Sequence, residues 1–128
     1  LAFCQAVFAK WGEIHAVYCD NAEQVLIQSL RSSLRASPFA WLSSRVHNAR
    51  KAPILDRIRL TSLLMGGGRF FVLPAAQTLA DALATALWSG KRPGQDERLD
   101  DGTTDIDTLD AFEYTIEREY RSLLRMNA

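Results

Sequence analysis

Ile14-His15-Ala16-Val17-Tyr18-Cys19-Asp20-Asn21 is the stretch on which the fold turns. The run from Ile14 to Cys19 is short, apolar, and holds Val17 beside Tyr18, the make-up of a buried strand. Asp20 and Asn21 close it. Ahead of it, Leu1, Cys4, Val7, Phe8 and Trp11 recur at helical spacing up to Gly12, a natural helix stop. Behind it, residues 22 to 35 carry Val25, Leu26, Ser29, Leu30 and Leu34, so a second helix is expected there, with Asp20 or Asn21 able to cap it. A strand between two helices is the opening of an α/β layer.

The rest of the chain continues the alternation. Ser37 and Pro38 end the second helix, and residues 42 to 47 could form another short strand. Pro53 suits the first position of a helix whose apolar face is Ile54, Leu55, Ile58, Leu63 and Leu64. Gly66, Gly67 and Gly68 stop that helix. Residues 69 to 73 (Arg-Phe-Phe-Val-Leu) read as a strand ended by Pro74. A helix is expected over 75 to 88, a long polar loop over 91 to 104, and a last helix over 105 to 125, with acids early and arginines late as the helix dipole favours. Strands alternating with helices predict an α/β fold with largely parallel pairing.

With 128 residues, 48% apolar and 23% charged, the chain fits a single globular domain over 1–128, and no apolar run reaches the length of a membrane span. Leu1 opens directly onto the apolar helical pattern, as if the chain were entered partway through a domain. Cys4 and Cys19 have no CxxC spacing, and Cys19 reads as a small core residue of a reduced protein. Net charge is zero, but from Arg31 to Arg69 the basic residues Arg31, Arg35, Arg45, Arg50, Lys51, Arg57, Arg59 and Arg69 face a single acid, Asp56. From Asp96 to Glu119 the balance is acidic, broken only by Arg98 and Arg118. This asymmetry fits a surface for a polyanion beside carboxylates that hold cations; solvated helix faces would produce it too.

Several chemistries are excluded. The glycine cluster precedes an expected strand, whereas phosphate loops follow one. His15 and His47 are isolated from each other and from the cysteines, which argues against zinc, and no Gly-x-Ser-x-Gly elbow supports a serine hydrolase. The carboxylates say more. Asp20 ends a strand, where ligands gather in open α/β sheets, and Asp107 and Asp110 share a helix face at i, i+3. If they converged, the oxygens of Asp20, Asp107 and Asp110 would suit Mg²⁺ or Mn²⁺ and phosphodiester cleavage. Each acid taken singly has a structural reading: Asp20 as a cap, Asp107 and Asp110 as first-turn charges.

Four segments, in order, are similar to the nuclease domain of tailed-phage terminase large subunits. Val17-Tyr18-Cys19-Asp20-Asn21-Ala22-Glu23-Gln24 resembles its strand-closing acid and following helix. Asn48-Ala49-Arg50-Lys51-Ala52-Pro53-Ile54 resembles its Ala-x-Lys segment. Leu83 to Trp88 occupies the place of a helix that ends in Tyr-x-Trp, here with only the Trp. Asp107-Thr108-Leu109-Asp110-Ala111-Phe112-Glu113-Tyr114 resembles the closing His/Asp-x-x-Asp-Ala-x-x-Tyr motif.

The resemblance implies an RNase H-like three-layer fold, incomplete because the first strands are missing, with a partly parallel central sheet flanked by helices. It also implies a two-metal endodeoxyribonuclease that cuts concatemeric viral DNA during packaging in the bacterial host cytoplasm. Asp20 and Asp110 would be catalytic, and Asp20, Asp107 and Asp110 would hold two Mg²⁺ or Mn²⁺ ions, with Asp107 where histidine is common. Arg50 and Lys51 would approach double-stranded DNA, and the full-length protein would meet a terminase small subunit and a portal protein. The family's first catalytic aspartate lies on a strand expected upstream of Leu1. The alternatives are a non-catalytic α/β interaction module and another RNase H-like nuclease such as a resolvase or integrase.

Overall fold

The computed structural model describes residues 1–89 and 97–125 and divides the chain into two compact units, Leu1–Ala49 and Arg50–Ala128. In the first unit, helix α1 (Ala2–Trp11) stops at Gly12, whose φ of 80° is easily reached only without a side chain. Strand β1 (Val17–Cys19) leads to helix α2 (Gln24–Arg35). A 3-10 turn (Ala40–Arg45) then feeds strand β2 (Val46–Asn48). The two strands pair in parallel, Val17 with Val46 and Cys19 with Asn48. The expected α/β alternation and parallel pairing are thus present, in a sheet of two strands among the described residues.

The boundaries moved where propensity met packing. β2 starts at Val46 because the stretch from Ala40 to Arg45 turns tightly before it extends. The core is built from Cys4, Ile27, Leu34, Leu42 and Val46, with Ile14, Val17, Cys19, Leu30 and Phe39 packed against it. Cys19 therefore lies at the core margin as expected, and its partial burial raises the thiol pKa, which keeps it protonated. α2 presents Ile27, Leu30 and Leu34 inward, whereas Val25 and Leu26, expected on the buried face, are 81% and 62% exposed. Five apolar residues compete for one stripe on α2, and the line i, i+3, i+7 from Ile27 is the one that meets the sheet.

The second unit is helical. Helix α3 (Ile54–Gly66) is followed by Gly68 at φ 65°, which confirms the glycines as a helix stop. A 3-10 turn (Pro74–Ala76) precedes helix α4 (Gln77–Thr85). Helix α5 (Ile106–Ile116) continues through a 3-10 turn (Glu117–Glu119) into helix α6 (Tyr120–Arg125). α4 packs on α5, and Leu60, Leu64, Ala82, Leu109 and Tyr114 are buried.

Three expectations for this unit are corrected. Residues 69–73 form no strand: Phe71 is 80% exposed and Leu73 60%, so apolar character alone was misread as burial. The helix over 75–88 ends at Thr85, after which Trp88 pairs with Arg98 in an antiparallel bridge; the first part of the loop expected over 91–104, residues 91–96, lies outside the described residues. The buried face of α3 is Arg57, Leu60, Thr61 and Leu64, while Leu55 and Leu63, assigned to it from sequence, are exposed. Among the described residues no helix is long and apolar enough to cross a membrane.

These assignments separate two substitutions that sequence alone would rank as equals. Leu60→Ala should lower unfolding free energy by about 2–5 kcal/mol, whereas Phe71→Ser should shift it by no more than about 0.5 kcal/mol. Urea denaturation followed by circular dichroism measures both, and a large loss for Phe71→Ser would restore the buried strand.

Candidate functional site

Asp20 leaves β1 at its carboxyl end, in the first unit. The half-buried side chain turns back on the chain: its Oδ1 accepts a hydrogen bond from the Ala22 N–H at 3.0 Å, closing an Asx turn into α2. α2 begins at Gln24 with Glu23 in the cap position and no side-chain cap hydrogen bond, so neither Asp20 nor Asn21 serves as its cap. Asn21 instead donates through Nδ2 to the Ala49 carbonyl at 3.0 Å, and the Ala49 N–H donates to the Cys19 carbonyl at 2.7 Å. The ends of the two parallel strands are thereby tied together beside Asp20, at the sheet end where α/β proteins gather ligands.

Asp107 and Asp110 belong to the second unit, on α5. The cap of this helix is Asp105, whose carboxylate takes the Thr108 N–H at 3.0 Å and the Thr108 hydroxyl at 2.6 Å. These hydrogen bonds, the side-chain one foremost, lower the Asp105 pKa. Asp107 is exposed in the first turn. Asp110, one turn on, is drawn inward by cations. Arg57 of α3 donates through Nη1 to its Oδ1 at 2.7 Å; Arg98 Nη1 lies 3.5 Å from the same oxygen. Lys51 Nζ is 3.5 Å from Oδ2, and the Tyr114 hydroxyl donates to Oδ2 at 3.4 Å.

The acid ladder continues along α5 and into the turn after it. Glu113, with 3% of its side chain exposed, accepts from Arg57 Nη1 at 2.7 Å and from both terminal nitrogens of Arg98. Glu117 accepts the Ala52 N–H at 3.3 Å and lies 3.6 Å from Arg57 Nε. Burial would lower the Arg57 pKa, but the hydrogen bond with Asp110 and the charges of Glu113, Asp110 and Glu117 outweigh it, so its pKa rises. Glu117 moves the other way from most acids. Burial raises its pKa above the ordinary 4.5, only partly offset by the Ala52 hydrogen bond and Arg57.

This cluster was not read from sequence. Its signals were the spacing Asp110, Glu113, Glu117 (i, i+3, i+7) and the recurrence of Arg57 with Leu60, Thr61 and Leu64 on one face of α3. Part of the basic segment has structural partners. Arg31 donates to the Val46 carbonyl, Arg45 pairs with Glu13, Arg57 is buried, and Arg69 donates to the Leu123 carbonyl. Arg50 and Lys51, expected at DNA, are exposed.

Among the described residues no group of three or more His, Cys, Asp or Glu side chains is placed to hold a metal ion. Both carboxylate oxygens of Asp110 already meet donors, and Arg57 occupies the centre of the three acids. Of the α5 acids, Asp110 and Glu113 thus face guanidinium groups in this arrangement. Compared with protein-family models, curated proteins and solved structures, the chain finds no match.

Two measurements test the cluster. Arg57→Met leaves Asp110 and Glu113 with less compensation and should cost about 3–5 kcal/mol of stability; a neutral result in urea denaturation would dismiss the pairs. Glu117 keeps its proton to higher pH folded than unfolded, so stability falls as pH rises from the ordinary glutamate range through the raised folded pKa. Glu117→Gln should flatten that slope, giving a higher melting temperature than the parent above this window and no loss near neutral pH.

Proposed function

We propose that the chain is part of a metal-dependent DNA endonuclease of the terminase large subunit type, with an RNase H-like fold, acting on viral double-stranded DNA in the host cytoplasm. A terminase small subunit and a portal protein are the partners of the full-length protein in this reading. The observation that supports it most is a convergence at one carboxylate. Lys51, from the Ala-x-Lys segment, and Tyr114, from the Asp-x-x-Asp-Ala-x-x-Tyr segment, both approach Asp110 Oδ2. Residues singled out by two separate motifs thus share a partner. Asp20, at the carboxyl end of a parallel strand, suits the other acid of the reading.

The roles follow from chemistry. A lysine and a tyrosine on one carboxylate oxygen fix its direction. The divalent ions, Mg²⁺ or Mn²⁺ in this proposal, supply an activated water and stabilise the leaving oxygen when bound. Arg50 and Lys51 offer exposed cations to backbone phosphates. A second reading, a non-catalytic interaction module, is favoured by Arg57 and Arg98, which compensate Asp110 and Glu113 without any ion.

Asparagine substitutions separate these readings, because Asn keeps the Oδ1 acceptor of the Asp20 turn and the size of Asp110 while removing charge. Residues 1–128 alone should bind Mn²⁺ weakly by calorimetry and cut plasmid DNA little. A chain extended upstream of Leu1 should cut in Mg²⁺ or Mn²⁺, and Asp20→Asn or Asp110→Asn in it should lower the rate on the order of 10²-fold or more. Cutting by the extended chain that ignores both substitutions, or no cutting by it in either metal, would defeat the nuclease assignment.

A further inference from the structure

The exposed basic surface of the second unit extends beyond the pair read from sequence. Arg50 and Lys51, in the segment before α3, share an open cleft of about 510 Å³ with Arg118 and Arg121, from the 3-10 turn and α6; Ala52, Glu117 and Tyr120 complete its lining. The arginines near the chain end had an ordinary explanation as charges complementing a helix dipole. Their position in this cleft gives them another.

Charge decides what the cleft accepts. The single acid in its lining, Glu117, is turned toward the Ala52 N–H and Arg57, and Lys51 also lies 3.5 Å from Asp110 outside the lining; the four cations of the lining still outnumber its one acid. Arg50, Lys51 and Arg121 are exposed, and Arg118 is half-buried. Arg118 and Arg121 are three residues apart, which puts both on one face of a 3-10 or α turn. A lone anion is best held by buried, convergent donors. Exposed cations spread along an open groove are instead matched by a chain of phosphates, whose condensed counterions are released on binding.

We propose that this cleft binds the phosphodiester backbone of duplex DNA, with Arg118 and Arg121 as phosphate contacts alongside Arg50 and Lys51. The inference rests on the DNA-processing reading and extends its contact surface. Because the contacts are to phosphate, they position the duplex without reading sequence.

Fluorescence anisotropy of residues 1–128 with two duplexes of unrelated sequence, over a series of salt concentrations, tests it. Arg121→Ala should lower the salt slope by about 1, and Arg118→Ala with Arg121→Ala by about 2, equally on both duplexes. Arg59→Ala, an exposed arginine outside the cleft lining, should leave the slope unchanged. Arg121→Glu, on an exposed site that folding tolerates, should weaken binding further than Arg121→Ala, and thermal melts of each variant report its folding. Inorganic phosphate at matched ionic strength should not compete beyond sodium chloride. The proposal is overturned if the chain binds neither duplex, if the Arg118 and Arg121 variants behave like Arg59→Ala, or if inorganic phosphate displaces the duplex specifically. Slopes that fall as stated while the extended chain fails to cut DNA would support the cleft and defeat the nuclease reading, so the two fail separately.

Discussion

Arg57 carries a full positive charge on a side chain only 6% exposed, and the second unit is organised around compensating it. A guanidinium removed from water costs several kcal/mol unless carboxylates replace its hydration. Asp110, Glu113 and Glu117 supply that replacement from one face of α5 and the turn after it, and Arg98 closes over Asp110 and Glu113. The geometry ties α3 to α5 in one register, because a one-residue rotation of either helix would bury the charges unpaired. Satisfaction is incomplete. Arg57 Nε and Glu117 Oε2 are buried without hydrogen-bond partners, which is consistent with the raised Glu117 pKa.

That arrangement constrains any chemistry at Asp110. Its carboxylate is held by Arg57 on one oxygen and approached by Lys51 and Tyr114 on the other. An acid so placed has a defined direction. The same features serve a catalytic carboxylate and a structural ion pair, and they differ only in what approaches Oδ2 in place of Lys51. The proposed phosphate-binding cleft shares Lys51 with this network, so occupancy of the cleft by a phosphate would draw the lysine away from Asp110.

In the first unit, the parallel pairing of β1 and β2 through α2 was legible in residues 14–48, since an apolar β-branched run, an acid, and an apolar helical spacing are local patterns. The stop at Gly12 and the glycines after α3 were legible for the same reason: positive φ is a property of single residues. Phe71 and Leu73 show the limit. Their run has the composition of a strand, but no neighbouring chain pairs with it among the described residues, and a strand exists only when another supplies its hydrogen bonds.

For the candidate site, the sequence by itself determined which side chains are available: Asp20 after a strand, Asp107 and Asp110 three apart on a helix, Arg50 and Lys51 before another. Spacing along one element is enough for that, because helix and strand periods are set by the backbone. Only the tertiary structure decided which partners those side chains meet. Asp20 closes its own turn, Asp105 takes the capping role, and Asp110 is joined to Arg57, Lys51 and Arg98, which lie 53, 59 and 12 residues away in sequence. Opposite charges separated by such distances carry no local signature, since what selects one pairing over another is the burial that makes an unpaired charge costly.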